Sequence, residues 1–377
     1  MPVIHLLLCS IFIFFVLYAP QPLLAEFAQQ FSVSASQAGT LMSATMLPLA
    51  IAPICYGLIL AKSNPLNVLK WTMLCLALSC IAFASMTSFS GLLLVRLIQG
   101  LLLPAALTAM TGYIGQQFSG AALKKNMALY IGSTIMGGYF GRTLAANIAV
   151  WFEWQSFYYI NAVLLTLLAL SVRARGHSPA ITPVARLRDY LTPLKQPHLL
   201  RLYSSVFCMF FCFAGLLNFL PFILKYDFNL ISPSQVGWVY SGYLVGALGS
   251  IITPWLQGRV TSTWWFLGAM FAIYACTIAL MPIANFSVFV LLFTLFCACM
   301  FIIHATAAPL ANSISSAPAT VTNGAYVSFY YSGGVLGSYL PGLIYEYGGL
   351  MYFAAALLLV CLCGLALSFR NGLYPTR

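Results

Sequence analysis

The sequence predicts an all-α membrane protein with twelve transmembrane helices, arranged as two pseudo-symmetric six-helix bundles. Three observations lead to this fold class. Of the 377 residues, 62% are hydrophobic and only 6% are charged, whereas a soluble protein carries about 25% charged residues. Apolar runs of about 20 residues, the length that crosses a bilayer as a helix, recur along the whole chain. Short motifs of the first half return in the second half.

The apolar runs predict twelve membrane spans, which we number in chain order. The first run has no basic segment before it and no small-residue cleavage site, so we expect it to be retained as span 1. The segment 173–200 is basic and rich in proline, and it is too polar to cross a membrane. We therefore expect an N-terminal bundle at 1–172, a cytoplasmic linker at 173–200 and a C-terminal bundle at 201–377. The spans are predicted at 3–25, 37–61, 67–86, 89–113, 126–150, 154–172, 201–225, 235–257, 263–282, 287–311, 323–345 and 349–370.

Lysine and arginine positions predict the orientation of the chain. Cytoplasmic loops carry an excess of these residues, and with a cytoplasmic N-terminus the outer side holds only Lys225. We expect both termini to be cytoplasmic, and "inner" and "outer" are used below in this sense. The net charge of +11 then reflects topology and not a basic surface for nucleic acid. The predicted inner cations are Lys62, Lys70, Lys124, Lys125, Arg173, Arg175, Arg186, Arg188, Lys195, Arg201, Arg259, Arg370 and Arg377, and the acids at outer helix ends are Glu26, Glu153, Asp227 and Glu346.

Four motifs recur at offsets of 196 to 198 residues along the chain. This regularity predicts an internal duplication of a six-helix unit in parallel orientation. In such proteins the substrate site lies between the repeats near the middle of the membrane. The repeated elements are "FSVSASQAG" at 31–39 with "FNLISPSQVG" at 228–237, Gln21 with Asn218, Lys62 with Arg259, and "GGYFG" at 137–141 with "GGVLG" at 333–337.

Several of these motifs resemble those of the major facilitator superfamily of secondary transporters. "VRLIQG" at 95–100 is similar to its R-x-x-Q-G motif, and "GSTIMGGYFG" at 132–141 is similar to its glycine-rich antiporter motif. Together with "YAPQPLL" near the start, they resemble the bacterial twelve-helix drug/metabolite:proton antiporters. The resemblance implies alternating access, with span 5 against span 8 and span 2 against span 11. The loop between spans 2 and 3 departs from the family pattern, because Ala61 stands where the motif has aspartate, although Gly57 and Lys62 are retained.

Small residues four positions apart occur on spans 5, 8 and 11. They allow two helix backbones to approach closely, and we expect them to line the sliding contacts of the gates between the halves. The alternative is that these glycines face lipid and have no role. The predicted gating residues are Gly137, Gly141, Gly242, Gly246, Gly333 and Gly337.

Arg142 and Arg96 are charged residues inside predicted spans, about 12 Å and about 10 Å from the outer ends at 1.5 Å per residue. Because a charge in lipid is costly, such residues face the bundle interior or an aqueous cavity. Three interpretations remain open: each arginine braces its half through backbone groups, the pair binds an anionic substrate, or one of them modulates a proton site. Gln99 and Asn147 lie about one turn away and join the predicted substrate contacts.

The remaining polar residues of the spans provide further candidates. Gln21 and Asn218 occupy equivalent positions of the two halves, and they either face the cavity or bond neighbouring helices. Tyr330 belongs to an aromatic group on spans 7 and 11 that either lines a cavity or packs in the core. Glu26, at the outer end of span 1, and His304, within span 10, are proposed as proton carriers, with a structural role as the alternative for His304.

The predicted function is secondary active transport across a bacterial inner membrane, because no glycine-rich nucleotide-binding loop is present. We expect proton-coupled efflux of an anionic metabolite, for example a carboxylate-type siderophore, or of a drug, by a monomer in the lipid bilayer. The alternatives are uptake of an anionic nutrient and a non-transporting receptor or assembly factor. An enzyme is not expected, since Asp189 is the only acid on the inner side, and no cofactor is expected. The eleven cysteines lack metal-ligand spacing and are expected to pack as small apolar residues.

Overall fold

The computed structural model describes residues 1–60, 63–173, 187–230 and 232–373. The predictions made for Ala61, Lys62, Arg175, Arg186 and Arg377 lie outside these ranges. The helices of the first half are Val3–Tyr18, Leu24–Gln30, Ala35–Leu60, Pro65–Ala84, Phe89–Gln117, Gly120–Trp151 and Trp154–Ser171. Those that follow are Leu191–Leu194, Pro197–Tyr226, Pro233–Val239, Ser241–Gln257, Thr263–Leu280, Phe286–Ile314, Ala319–Gly337 and Leu340–Leu373, and 3-10 turns occur at Gln21–Leu23, Leu187–Tyr190 and Met281–Ile283.

The described helices form an all-α membrane bundle, as predicted. Eight of them, taken over the described residues, are long and apolar enough to cross a bilayer. Spans 2, 5, 6 and 11 pack into the same bundle. The bundle exposes large apolar side chains such as Trp71, Ile251 and Leu291 on its outside, as expected for a surface that contacts lipid.

Spans 1, 8 and 11, predicted as continuous helices, are each interrupted. Span 1 leaves α-helical hydrogen bonding after Tyr18, because Pro20 and Pro22 have no backbone N–H to donate. Span 8 breaks at Tyr240, and span 11 breaks just before Pro341. Broken helices occur in transporters where the backbone lines a binding site, and these three breaks lie near one another at the outer side.

The outer end of span 11 and the whole of span 12 lie in one helical run, Leu340–Leu373, with a change of direction at Gly349. Its backbone has φ 65° and ψ −160°, outside helical geometry. Only glycine adopts such angles without strain. The turn therefore separates the two spans at the predicted boundary.

The packing of the first six spans is repeated in the last six. Span 1 packs on spans 5 and 6, span 2 on span 4, and span 3 on spans 4 and 6. In the same way, span 7 packs on spans 11 and 12, span 8 on span 10, and span 9 on spans 10 and 12. Between the halves, span 2 contacts span 11 and span 5 contacts span 8, as the family resemblance implies, and the outer end of span 1 contacts span 7. The fold is thus built from two equivalent helix bundles.

Span 7 is the central helix of the second half. Of the 18 consecutive residues that make up the most apolar part of span 7, 94% are buried inside the protein. The corresponding share for span 12 is 33%. A polar side chain on span 7 therefore has neither water nor headgroups available, and it must find its hydrogen bonds within the protein. Asn218 is the residue to which this requirement applies.

Candidate functional site

The two halves are held together at their outer ends by hydrogen bonds between spans of opposite halves. The backbone N–H of Ser36 on span 2 donates to Glu346 Oε1 on span 11 at 2.5 Å. At the equivalent contact, the Ser234 hydroxyl on span 8 donates to Asn147 Oδ1 on span 5 at 2.9 Å. We call this contact region, formed by spans 2 with 11 and 5 with 8, the outer seam. The structure shows the protein with this seam closed.

Two glycines that sequence reasoning did not assign allow the seam to close. A Cβ atom on Gly39 would lie 2.1 Å from the carbonyl oxygen of Ser338, and one on Gly237 would lie 2.9 Å from the Cβ of Ala146. Gly39 and Gly237 end the repeated "SQAG" and "SQVG" motifs. The repeat of this motif in both halves was the sequence signal that could have identified the two glycines, because it places one glycine at each of two symmetric contacts.

Arg142 lies on span 5 beside this seam, inside a cage of tyrosine rings. It is 1% exposed. Its guanidinium carbon is 4.1 Å from the ring centre of Tyr18, 4.6 Å from that of Tyr243 and 5.4 Å from that of Tyr240, distances at which ring faces attract a cation. Among the described residues, no Asp or Glu side chain pairs with it. The tyrosine rings therefore stabilise a cation that no carboxylate neutralises.

Gly138, one turn before Arg142, leaves the space that this cage requires. A Cβ atom there would lie 3.1 Å from the Tyr243 hydroxyl and 3.2 Å from Arg142 Nη1. Its carbonyl oxygen accepts a hydrogen bond from Nη1 at 2.7 Å. The glycine-rich segment of span 5 thus positions the guanidinium group.

The predicted substrate residues Gln21, Asn218 and Arg142 are brought together beside the outer seam, where span 1 meets span 7. Arg142 Nε donates to Gln21 Oε1, and Gln21 Nε2 donates to Asn218 Oδ1 across the interface between the halves. Asn218 Nδ2 then donates to the hydroxyl of Ser338 at 2.6 Å. Ser338 was not predicted, although the "GGYFG" and "GGVLG" repeats place it at the position equivalent to Arg142.

Arg96, also predicted as a substrate residue, shares none of these hydrogen bonds in the structure. It is 0% exposed. Its Nη1 donates to Val16 O at 2.7 Å, its Nη2 to Leu17 O at 3.0 Å and its Nε to Leu41 O at 3.0 Å. Gln99, predicted with it, is buried and accepts a bond from Nη1 at 2.8 Å. The two residues form a brace between spans 1, 2 and 4.

The brace follows from the break in span 1. In a continuous helix the carbonyl of Val16 would accept from the N–H of residue 20, but Pro20 has none. Arg96 supplies the missing donor. The same arrangement occurs in the second half, where Pro221 leaves the carbonyl of Leu217 without a helical partner and the Tyr240 hydroxyl donates to it at 2.6 Å.

Asn147, predicted as a substrate contact, takes part in the outer seam in this structure. Its Nδ2 donates to the carbonyl of Thr143 at 2.7 Å, and its Oδ1 accepts from Ser234. The amide is therefore engaged on both sides. Sequence reasoning placed it near Arg142 along the helix, but its side chain bonds to span 8.

The six glycines predicted as gating positions pack within the halves and not between them. A Cβ atom on Gly137 would lie 2.8 Å from Ile11 O, and one on Gly333 would lie 2.3 Å from Phe207 O. At each of the six glycines, the nearest atoms belong to a helix of the same half. The contacts are Gly137 and Gly141 on span 1, Gly242 and Gly246 on span 10, and Gly333 and Gly337 on span 7.

Tyr330 and His304 lie deeper in the bundle, on the inner side of the seam. Tyr330 stacks on Phe210, with ring centres 3.6 Å apart. The His304 ring, 5.1 Å from that of Tyr330, shares a 2.8 Å hydrogen bond with the Tyr326 hydroxyl through Nδ1. Both Tyr330 and His304 are partly exposed, although they lie inside the bundle.

Glu26 lines a small cavity at the outer end, between spans 1, 7 and 8. The cavity measures about 190 Å³ and includes Lys225, Pro221 and Pro233. The Glu26 side chain is half-buried, and its Oε2 is buried without a hydrogen-bond partner among the described residues. Burial disfavours the ionised form of this carboxyl group, and Lys225 in the same cavity favours it.

No residues suited to a metal ion come together in the part of the chain that the structure describes. There, no group of three or more His, Cys, Asp or Glu side chains could hold one. The described cysteines form no disulfide, and those that are buried pack against neighbours, as when Cys212 Sγ donates to Leu357 O at 3.2 Å.

Comparisons with curated proteins give relatives of low identity. The chain is 24% identical to the MFS-type transporter YybF of Bacillus subtilis (strain 168) over 243 residues, which is 63% of this chain and 60% of YybF. It is 23% identical over 375 residues to an uncharacterized transporter of Buchnera aphidicola subsp. Baizongia pistaciae, covering 95% of this chain and 90% of that protein. The match to the inner membrane transport protein YnfM of Escherichia coli (strain K12) is 21% over 243 residues, covering 63% of this chain and 58% of YnfM.

Solved structures share the fold. A bacterial homolog of the human lysosomal transporter Spinster, in an inward-facing and occupied conformation, superposes with a TM-score of 0.82 at 14% identity and covers 98% of this chain and 96% of its own. A point mutant of the nucleoside transporter NupG gives a TM-score of 0.79 at 15% identity, covering 98% of this chain and 99% of its own. The model of the Major Facilitator Superfamily matches residues 6–338. The chain is therefore a member of the Major Facilitator Superfamily.

Proposed function

We propose that the protein is a secondary active transporter that exports an anionic organic solute across the bacterial inner membrane by alternating access. The observation that carries the proposal is Arg142, a buried cation beside the seam between the halves with no carboxylate partner among the described residues. The solute is a carboxylate-bearing metabolite or drug. In this view the protein acts as a monomer with both termini in the cytoplasm.

The chemistry of arginine supports an anionic solute. Arginine stays protonated in proteins, and its planar fork binds the two oxygens of a carboxylate at once. The hydrogen bonds of Arg142 engage Nε and Nη1, and the tyrosine rings attract the cation more weakly than a carboxylate would. An exporter of cations would instead need an acid at this place, and the described acids lie elsewhere.

The residues around Arg142 supply the other contacts of the proposed site. Gln21 and Asn218 offer amide groups from the two halves, and Tyr330 offers a partly exposed ring from span 11. A solute that touches both halves can favour one relative position of the halves over another. This is what alternating access requires of a substrate site.

Proton coupling through Glu26 is supported by the half-buried position of its carboxyl group in the outer cavity between spans 1, 7 and 8. When the outer ends separate, water would reach the cavity and the carboxyl group would ionise. His304 is the second candidate, although its hydrogen bond to Tyr326 also suits a structural role. Driven by protons that enter from outside, the transporter would export its solute.

The first experiment is thermal unfolding of the purified protein with carboxylates, represented by benzoate and citrate, and with the cation tetraphenylphosphonium. A ligand at 100 times its dissociation constant stabilises by about 2.7 kcal/mol. We expect carboxylates to stabilise the wild type and Arg142→Gln to lose this effect. Arg259→Gln is the matched control, because Arg259 lies on the Trp255 ring at the inner end of span 8.

Transport is then measured in proteoliposomes with the same compounds. Carboxylate movement driven by an opposing proton gradient would support export, whereas movement together with protons would support the alternative, uptake of an anionic nutrient. Stabilisation of the wild type and of Arg142→Gln by tetraphenylphosphonium alone would overturn the anion proposal. Failure of every compound to move across the membrane would favour a receptor or assembly factor.

A further inference from the structure

Four side chains form one continuous hydrogen-bonded chain across the interface of the two halves. Arg142 donates to Gln21, Gln21 donates to Asn218, and Asn218 donates to Ser338. The Ser338 hydroxyl then donates to the carbonyl of Gly334 at 2.6 Å. All four side chains are buried, so water does not compete for these bonds.

The direction of every bond in this chain is set by Arg142. A guanidinium group can only donate, so the oxygen of the Gln21 amide must face it. The nitrogen of the same amide then points to Asn218, whose oxygen accepts and whose nitrogen must in turn face Ser338. Such aligned bonds polarise and strengthen one another. A change at Arg142 is therefore transmitted to the contact between Gln21 and Asn218.

Gln21 presents to Arg142 the same kind of oxygen that a solute carboxylate would present. A carboxylate adds the attraction between opposite charges and can accept two N–H groups of the guanidinium at once, whereas the neutral amide offers a single oxygen. An anion that reaches Arg142 can therefore displace the amide oxygen. The Gln21 amide, no longer oriented by the arginine, then loses its preferred alignment toward Asn218.

We infer that Gln21 occupies the place of the solute on Arg142 in this conformation, and that displacement of Gln21 by an anion releases its bond to Asn218 and opens the outer seam. This inference rests on the proposed function. It makes Gln21 the positioning residue that couples occupancy of the site to the relative position of the two halves.

The test measures opening of the seam with spin labels on the two halves. Phe152 and Ile283 are exposed at outer ends of the first and second half, and each is replaced by labelled cysteine after the exposed Cys75, Cys276 and Cys363 are changed to serine. In the wild type we expect benzoate or citrate to raise the population with a long distance between the labels, relative to the population with a short one, about tenfold. This change corresponds to about the net free energy of one hydrogen bond.

Gln21→Glu is the decisive variant, because it keeps the shape of the side chain. Its carboxylate pairs with Arg142 permanently but has no N–H to donate to Asn218. We expect long distances without any added anion and no binding of benzoate or citrate. Asn218→Leu, which removes the acceptor of the Gln21 amide and leaves Arg142 in place, is expected to open the seam without any added anion.

The outcomes separate this inference from the proposed function. If neither carboxylate stabilises the wild type, the proposed anion site is wrong and this inference falls with it. If carboxylates bind through Arg142 but the label distances do not change, only the coupling is wrong. A Gln21→Glu protein that stays closed and still responds to carboxylates would also overturn the coupling.

Discussion

Gln21 donates a side-chain hydrogen bond to Asn218, a residue 197 positions further along the chain, and the two occupy equivalent positions of the internal duplication. A contact between equivalent residues lies on the axis that relates the two halves. The seam contacts are arranged on either side of it, with Ser36 and Glu346 on one side and Ser234 and Asn147 on the other. Closing and opening of the outer end can therefore be tested at symmetric positions.

A disulfide across the seam is expected to stop transport. The Cβ of Ala146 would lie 2.9 Å from a Cβ at position 237, so a shift of below about 1 Å gives the roughly 3.8 Å typical of a disulfide. We expect Ala146→Cys/Gly237→Cys to lose nearly all transport when oxidised and to recover it on reduction. Each single variant serves as a control. Full transport with the cross-link formed would show that this seam does not open during the cycle.

Substitution of the seam glycines is expected to change conformation, whereas substitution of glycines inside a half is expected to lower stability. In Gly39→Ala the new Cβ would meet Ser338 O at 2.1 Å, between the halves. We expect this variant to open the outer seam, measured as increased reaction of a cysteine at Ser36 with an impermeant maleimide.

The matched variant within a half is Gly333→Ala, whose Cβ would meet Phe207 O at 2.3 Å. Overpacking of this kind costs about 1–3 kcal/mol, so we expect a lower unfolding temperature without increased maleimide reaction at Ser36. Gly112→Ala, with no atom within 4 Å, should change neither. Equal effects of Gly39→Ala and Gly333→Ala would contradict the distinction between seam and half.

Loss of Arg96 is expected to destabilise the protein without removing anion binding. In Arg96→Met the carbonyls of Val16, Leu17 and Leu41 lose their donor, at a cost of about 1–3 kcal/mol for each buried group left unsatisfied. Thermal unfolding should show a clear loss, partly restored in Arg96→Lys. The folded fraction should bind carboxylates as the wild type does. A normally stable variant that fails to bind them would return Arg96 to the substrate site.

Neutralisation of Glu26 is expected to remove coupling to the proton gradient. In Glu26→Gln the side chain keeps its shape in the outer cavity but cannot exchange a proton. We expect transport in proteoliposomes to continue down the solute gradient and to become independent of an imposed pH difference. Glu153→Gln is the control, because Glu153 is exposed at the outer end of span 6. Unchanged proton dependence in Glu26→Gln would leave His304 as the next residue to test.

The broken helices show which features of the fold the sequence alone predicts and which it does not. Apolar runs located the spans, because crossing a bilayer requires about 20 apolar residues wherever the chain lies in the bundle. Pro20 and Pro22 in span 1 disfavour a continuous helix because they lack a backbone N–H. Hydrophobicity alone nevertheless predicted a continuous helix over 3–25. The sequence did not show that Arg96 supplies the donor that Pro20 lacks, since their contact joins residues of two different spans.

Composition, periodicity and internal repetition determined the membrane class, the two equivalent halves and the pairing of Gln21 with Asn218 by position, because each of these is a property of residues counted along the chain. Only the tertiary structure decided which arginine is a brace and which lies in the tyrosine cage. Arg96 and Arg142 are the same residue type at a similar predicted depth, and their environments differ through side chains and carbonyls of spans 1, 2 and 8. The predicted gating glycines also needed the tertiary structure, because a small residue permits a close helix contact but does not specify which helix makes it.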